Sequence, residues 1–201
     1  MRIVILVEGA TETAFMGPLR EHLARRLAGR MPRLVPYAYD GRIPKGAKLQ
    51  RVVNDLLSRA PRADAVIALT DVYTGTGDFE SADDANRKMR TWVGDEPRFF
   101  PHVALHDFEA WLLPYWDEIQ RLAKHNGAAP ARNPETVNHA KPPAVRLKEL
   151  FERGACARSY VKPRDAGRIL RGKDLQVAIN QCAELRAFVR TIESLAGGES
   201  D

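Results

Sequence analysis

Residues 3–7, Ile-Val-Ile-Leu-Val, and residues 65–69, Ala-Val-Ile-Ala-Leu, constrain this chain more than any other feature. Both are short, unbroken apolar runs rich in β-branched side chains, closed by Glu8-Gly9 in one case and Thr70-Asp71 in the other. Unbroken runs of this length read as strands covered on both faces, since a strand with one wet face would alternate. Between them the period changes. Phe15, Leu19, Leu23 and Leu27 recur every four residues, one stripe of an amphipathic helix that Gly29 ends. Thr11 is the expected N-cap of that helix, or Pro18 marks its first well-formed turn.

Arg33–Tyr39 reads as a second strand, placed at a sheet edge by Pro36. After the loop DGRIPKGAK, Leu49, Val52, Val53, Leu56 and Leu57 make the next helical face. The resulting β-α-β-α-β alternation predicts an α/β fold, a Rossmann-like parallel sheet flanked by helices. DVYTGTGDFESADD is a loop ahead of a polar helix at about 85–93, and FFPHVALHDFEAWLL is a strand running into a helix at about Asp107. Residues 124–141 are rich in Pro, Gly, Ala and Asn and mark a break. Residues 1–123 are therefore expected to form the α/β core, and 124–201 a helical extension packed on it. That extension holds helices at 143–153, 165–171 and a long one at 175–195.

The chain has 201 residues, enough for one domain with a substantial core, and its 44% hydrophobic and 28% charged content is ordinary for a globular protein. No apolar run approaches the roughly 20 residues of a membrane span, and the N-terminal run is too short for a signal peptide, so a cytoplasmic protein with no membrane partner is expected. Cys156 and Cys182 lie far apart with no CxxC, which predicts two plain thiols. The formal charge is +5, with basic residues crowding 20–62 and 141–173 around an acidic stretch from Asp64 to Glu118. That pattern suits a polyanion held beside a cation, or solvated helix faces.

In an open α/β sheet, ligands sit beyond the carboxyl ends of the strands. Three strands here end in acid: Glu8 after the first, Asp71 after the third, and Asp107 with Glu109 after the fourth. Carboxylates brought within a few ångströms of one another need a cation or a raised pKa. Oxygen donors with no Cys and few His favour Mg²⁺ or Mn²⁺ over zinc, and a cation that takes one or two carboxylates plus phosphate suits phosphodiester chemistry. Other roles stay open for several of these acids. Glu12 suits the dipole of a helix start, Asp78 and Glu80 suit a solvated loop, and Asp83 or Asp84 suits a helix N-terminus. Asp107 reads as a possible N-cap for the segment after it, which leaves Glu109 the stronger functional candidate there. His106 is either a donor to phosphate or water or a satisfied strand-end residue. There is no GxxxxGK[ST] loop, no GxGxxG and no GxSxG elbow.

VEGATE at the end of the first strand resembles the EGxTE form of the first Toprim motif, as found in overcoming-lysogenization-defect nucleases. HDFEAWLLP, KPPAVRLKELF, SYVKPRDAGRIL and ELRAFVRTI follow in the order of the Toprim-related family known as domain of unknown function 4276, so the resemblance covers nearly the whole chain. The Tyr-x-Lys step of that family falls on Tyr160 and Lys162.

The resemblance implies a compact Toprim-type fold with an acidic Mg²⁺ (or Mn²⁺) site. Glu8 would act as general acid or base, or as a metal ligand. Where Toprim proteins carry Asp-x-Asp, this chain has Asp71-Val72-Tyr73, so the metal would rest on Glu8 and Asp71, with Glu12, Asp78 or Glu109 in support. Lys162 would neutralise charge on the reacting phosphate, and Glu8 or Glu109 would manage the proton. The expected function is a nuclease acting on nucleic acid, as effector of a phage-defence or genome-maintenance system with an ATPase partner. The other reading is a non-catalytic or conditionally active module of such a complex, which the missing second aspartate favours.

Overall fold

The computed structural model describes residues 1–39, 41–72, 77–130, 133–137, 141–156 and 158–197. Its strands are β1 (Arg2–Val7), β2 (Arg33–Ala38), β3 (Ala65–Asp71) and β4 (Phe99–Ala104). All pair in parallel, in the order β2-β1-β3-β4, which puts the Pro36 strand at an edge as its missing N–H requires. The chain leaves β1 toward β2 on one side and returns to β3 on the other. The strand order therefore reverses between β1 and β3, and a crevice opens at their carboxyl ends.

Alternate residues of each strand enter different cores, which is why the runs are apolar throughout. Ile3, Ile5, Val7, Ile67 and Leu69 face one cluster with α1 (Ala10–Leu27) and the C-terminal helices. Val4, Leu6, Val66 and Ala68 face the other, closed by α2 (Gly46–Ser58) and α3 (Ala82–Val93). The remaining helices are α4 (Trp116–Ala123), α5 (Pro143–Arg153), α6 (Lys162–Leu170), α7 (Leu175–Gln181) and α8 (Ala183–Leu195). The first cluster runs unbroken from Ile3 to Ile192, across residue 124. At its centre the rings of Phe15, Phe108, Trp111 and Phe188 join α1, the segment after β4, and α8, with neighbouring centroids 5.4 to 6.1 Å apart. Among the described residues no helix is long and apolar enough to cross a membrane.

Three local expectations are corrected. α1 begins two residues earlier than a Thr11 cap implies: Gly9 is the N-cap, and Glu12 Oε2 accepts from the Gly9 N–H at 3.1 Å. Phe108–Tyr115 is a 3₁₀ segment rather than an α-helix. Pro114 lies inside it and cannot donate to a carbonyl one turn back.

The expected long helix at 175–195 is two helices. Cys182 is extended between them, with φ −117° and ψ 110°. The break is held from outside. Glu135, only 4% exposed, accepts from the Ala183 N–H at 2.6 Å, the Glu184 N–H at 3.1 Å and the Trp111 indole at 3.2 Å. It supplies the acceptor that the first turn of α8 lacks. Glu135→Ala strands three donors and is expected to cost about 3 kcal/mol in urea unfolding at pH 7, whereas Glu135→Gln keeps an acceptor and loses less than half as much. Equal losses for the two variants would count against this role.

Candidate functional site

Glu8 and Asp71 meet where the strand order reverses. Glu8 Oε1 accepts a short hydrogen bond from the Thr70 hydroxyl and a longer one, 3.3 Å, from the Asp71 N–H. Burial pushes the Glu8 carboxyl above its ordinary pKa; these two hydrogen bonds and the Arg42 charge oppose the rise, and Glu12 adds to it. Asp71 is pushed much further. Burial is the largest cause, followed by the negative charges of Glu8, Asp107, Glu109 and Glu12 in that order. Residues from two other strand ends and a helix start thus act on one carboxyl.

The segment after β4 closes the site from the other side. Asp107 and Glu109 are fully buried, which is unusual for carboxylates. Asp107 occupies the N-cap position of the 3₁₀ segment but makes no side-chain bond there. Its Oδ2 instead accepts from the Ala144 N–H at 3.0 Å, a free donor in the first turn of α5, whose start at Pro142-Pro143 offers none. Burial raises Asp107 to about 6, against the pull of Ala144 and Lys162. Burial and the charge of Asp107 raise Glu109 to about 7, against Lys162. Asp107 Oδ1 and Glu109 Oε1 are buried without a hydrogen-bond partner.

Lys162 opens α6, and its Nζ reaches Glu109 Oε2 at 3.3 Å with half of the side chain still exposed. Burial would lower this ammonium, but Glu109, Asp71 and Asp107 outweigh it and hold it above the usual lysine value. The start of α6 is itself anchored. Asp165, fully buried, accepts from the Val161 N–H at 2.8 Å and pairs with Arg158 at 2.7 Å and Arg164 at 3.1 Å. Those partners hold its carboxyl down at about 2. Tyr160 lies beside Glu109 without a well-directed hydrogen bond, and burial together with the nearby acids raises its phenol far above normal.

Of the residues singled out in the sequence, Glu8, Asp71, Glu109 and Lys162 come together. Glu12 stands behind them, bound to the Gly9 N–H and adding charge to Glu8 and Asp71. Asp78 has two cations of its own, Arg42 Nη1 and Lys45 Nζ, each at 2.5 Å, and lines one crevice with Asp71. Tyr73 lies outside the described residues. Asp107 is a stronger member than its reading as a cap suggested, and Arg42 was not singled out at all. The clue to Arg42 was its place in DGRIPKGAK, a loop that leaves a strand end on the same edge as Glu8.

A hard divalent cation takes one or two carboxylates and completes its shell with water and phosphate oxygens. Glu8 and Asp71 fit that need: an oxygen-only pair whose pKa values are raised first by burial and, at Asp71, also by the charge of Glu8, both of which a cation would offset. Among the described residues, no three His, Cys, Asp or Glu side chains stand close enough to make a closed shell by themselves.

Comparison with solved structures finds the same architecture in the C-terminal region of the Burkholderia pseudomallei OLD protein. The TM-score is 0.55 at 16% identity, over 97% of this chain and 98% of that one. The C-terminal region of the Xanthomonas campestris pv. campestris OLD protein is similar at TM-score 0.54 and 16% identity, over 98% of this chain and 94% of that one. Likeness at this identity speaks for the fold. A search of curated proteins found no match. The family model described as Domain of unknown function (DUF4276) matches residues 7–193, and the chain belongs to that family.

Proposed function

We propose that this protein is a Mg²⁺- or Mn²⁺-dependent nuclease with a Toprim-like site, cutting nucleic-acid phosphodiesters as an effector that works with an ATPase partner in phage defence or genome maintenance. One observation carries the reading. Glu8, Asp71, Asp107 and Glu109 converge at the switch point of a parallel sheet, every one with its carboxyl pKa raised, and Lys162 stands beside them. The likeness in fold to the OLD C-terminal regions supports it.

Glu8 and Asp71 would hold the cation, with Glu12 adding negative charge behind them. When bound, such an ion supplies Lewis acidity toward phosphate oxygens and acidifies water. Glu109 is suited to handle the proton. Its Oε2 stays with Lys162, and Oε1, buried and unpartnered, is the atom that would carry a proton exchanged near neutral pH. The Lys162 ammonium, half exposed, faces charge developing on the phosphate.

The second reading, a module active only within its complex, is favoured by Tyr73 standing where Toprim proteins carry a second aspartate. One experiment separates the two. The purified chain is incubated with plasmid DNA and with RNA in Mg²⁺ or Mn²⁺, with and without chelator, and metal binding is followed by calorimetry. Cutting that chelator stops is the expected result. Absence of cutting with metal bound supports the conditional module, and absence of both cutting and metal binding overturns the nuclease.

A further inference from the structure

The loop after β2 is tied to the candidate site by its backbone. The Tyr39 N–H donates to the Val7 carbonyl at 2.9 Å, and the Gly41 N–H donates to the Glu8 carbonyl at 3.2 Å. Gly41 takes φ +115°, a conformation that side chains resist, and this lets the loop turn back over the end of β1. Arg42 follows directly and acts electrostatically on Glu8. Arg42 and Lys45 are both more than two-fifths exposed, and both bind Asp78 at 2.5 Å. Together with Thr70, Asp71 and Trp92 they rim a crevice of about 10 Å³, room for no more than about one water. The groove is therefore a cationic rim beside the acids and too small for a ligand to enter. Arg42, Lys45 and Asp78 taken together carry one net positive charge, beside the carboxyl of Asp71.

We propose that Arg42 and Lys45, aligned by Asp78, form a subsite for a backbone phosphate of the nucleic acid next to the phosphate being cut. The inference rests on the nuclease reading for its substrate and gives Asp78 a part different from metal ligation. The chemistry fits. A guanidinium carries five N–H donors and an ammonium three, so both can keep Asp78 and still present donors outward. Asp78 holds two long side chains in one place before the polyanion arrives and so reduces the entropy lost on binding. The position fits as well. The pair stands beside the acids: with Asp78 it lines one crevice with Thr70 and Asp71 at the end of β3, and Arg42 acts on Glu8 at the end of β1. Lys162 reaches the acids from α6, which packs on α1 on the sheet face opposite α2 and α3. A strand crossing the carboxyl edge from one face of the sheet to the other would meet Arg42 and Lys45 first, the acids next and Lys162 last.

The test is binding of a fluorescein-labelled single-stranded DNA oligonucleotide, followed by anisotropy across a salt series in chelator, where no cutting occurs. Arg42→Gln/Lys45→Gln is expected to weaken binding about tenfold and to reduce the slope of log affinity against log salt by about 1 to 2. Arg59→Gln/Lys148→Gln removes equal charge elsewhere on the exposed surface and is expected to change the slope by less than half as much. Asp78→Asn, which frees both cations without removing them, is expected to keep the slope and weaken binding modestly. Wild-type affinity and slope in the Arg42/Lys45 variant would overturn the subsite. So would equal slope changes in the two double variants, or a mononucleotide bound as tightly as the oligonucleotide. A reduced slope in a protein that never cuts would leave the subsite standing and remove the nuclease; unchanged slope with metal-dependent cutting would do the reverse.

Discussion

Glu8→Gln is expected to lower metal-dependent phosphodiester cleavage by at least about 10³-fold, the equivalent of roughly 4 kcal/mol of transition-state stabilisation. The substitution is nearly isosteric, and an amide oxygen can still accept from the Thr70 hydroxyl and the Asp71 N–H that Glu8 Oε1 now satisfies. The fold should therefore survive, with an unchanged circular-dichroism spectrum. What is lost is charge. Glu8 is the largest electrostatic contributor to the raised pKa of Asp71, so the variant should ionise Asp71 at lower pH while binding Mg²⁺ or Mn²⁺ more weakly. Weaker metal binding by calorimetry, lost cutting and an intact fold make up the expected pattern. Wild-type cutting by Glu8→Gln would remove the Toprim-like assignment.

The second large effect is on stability, and it depends on pH. An unfolded glutamate titrates near 4.5, whereas Glu109 in the folded protein titrates at about 7. Between those values the native state holds a proton that the unfolded chain has released. Stability from this group is present in full below pH 4.5, falls as pH rises through about 7, and levels off above it. The size is on the order of 3 kcal/mol, or roughly 6–12 °C in melting temperature for a chain of this length. In metal-free buffer, Glu109→Gln should melt above the wild type at pH 8 and close to it at pH 5. Asp107, Asp71 and Glu8 are raised too and contribute with the same sign, so the variant keeps a shallower slope. A thermal series from pH 5 to 8 checks this. An unchanged slope in Glu109→Gln would mean that Glu109 is not the proton carrier the proposed mechanism uses.

These two residues also show how far local sequence reaches. Glu8 was legible because everything that marks it lies within a few positions: an apolar run, a carboxylate, a glycine, then a helical stripe. Glu109 was legible only as one of two acids after a strand, and a cap role open to Asp107 made Glu109 the stronger candidate. Asp107 does take the N-cap position of the segment following it, but its Oδ2 also serves α5, 37 residues on, and the carboxyl stays in the acid cluster. Lys162 reaches Glu109 across 53 residues, so family resemblance singled it out and spacing did not. Asp78 was one acid among several in a loop, and its two cations come from a loop 33 and 36 residues earlier.

The break at Cys182 follows the same rule. Val177, Ile179, Leu185 and Phe188 carry a helical period that runs through it, so the sequence reads as one helix. The interruption depends on Glu135, brought to Ala183 and Glu184 by the packing of Trp111.

By itself the sequence determined the four strands, the Pro36 edge, the two-sided burial of β1 and β3, and the delivery of Glu8 and Asp71 to the carboxyl ends. Hydrophobic period and turn chemistry are local properties, written over a few consecutive residues. The tertiary structure alone decided which carboxylates share a field, which cation answers each of them, and where a long helix stops. Those outcomes depend on burial and on distances between residues far apart in the chain, and the strength of a charge is set by what surrounds it.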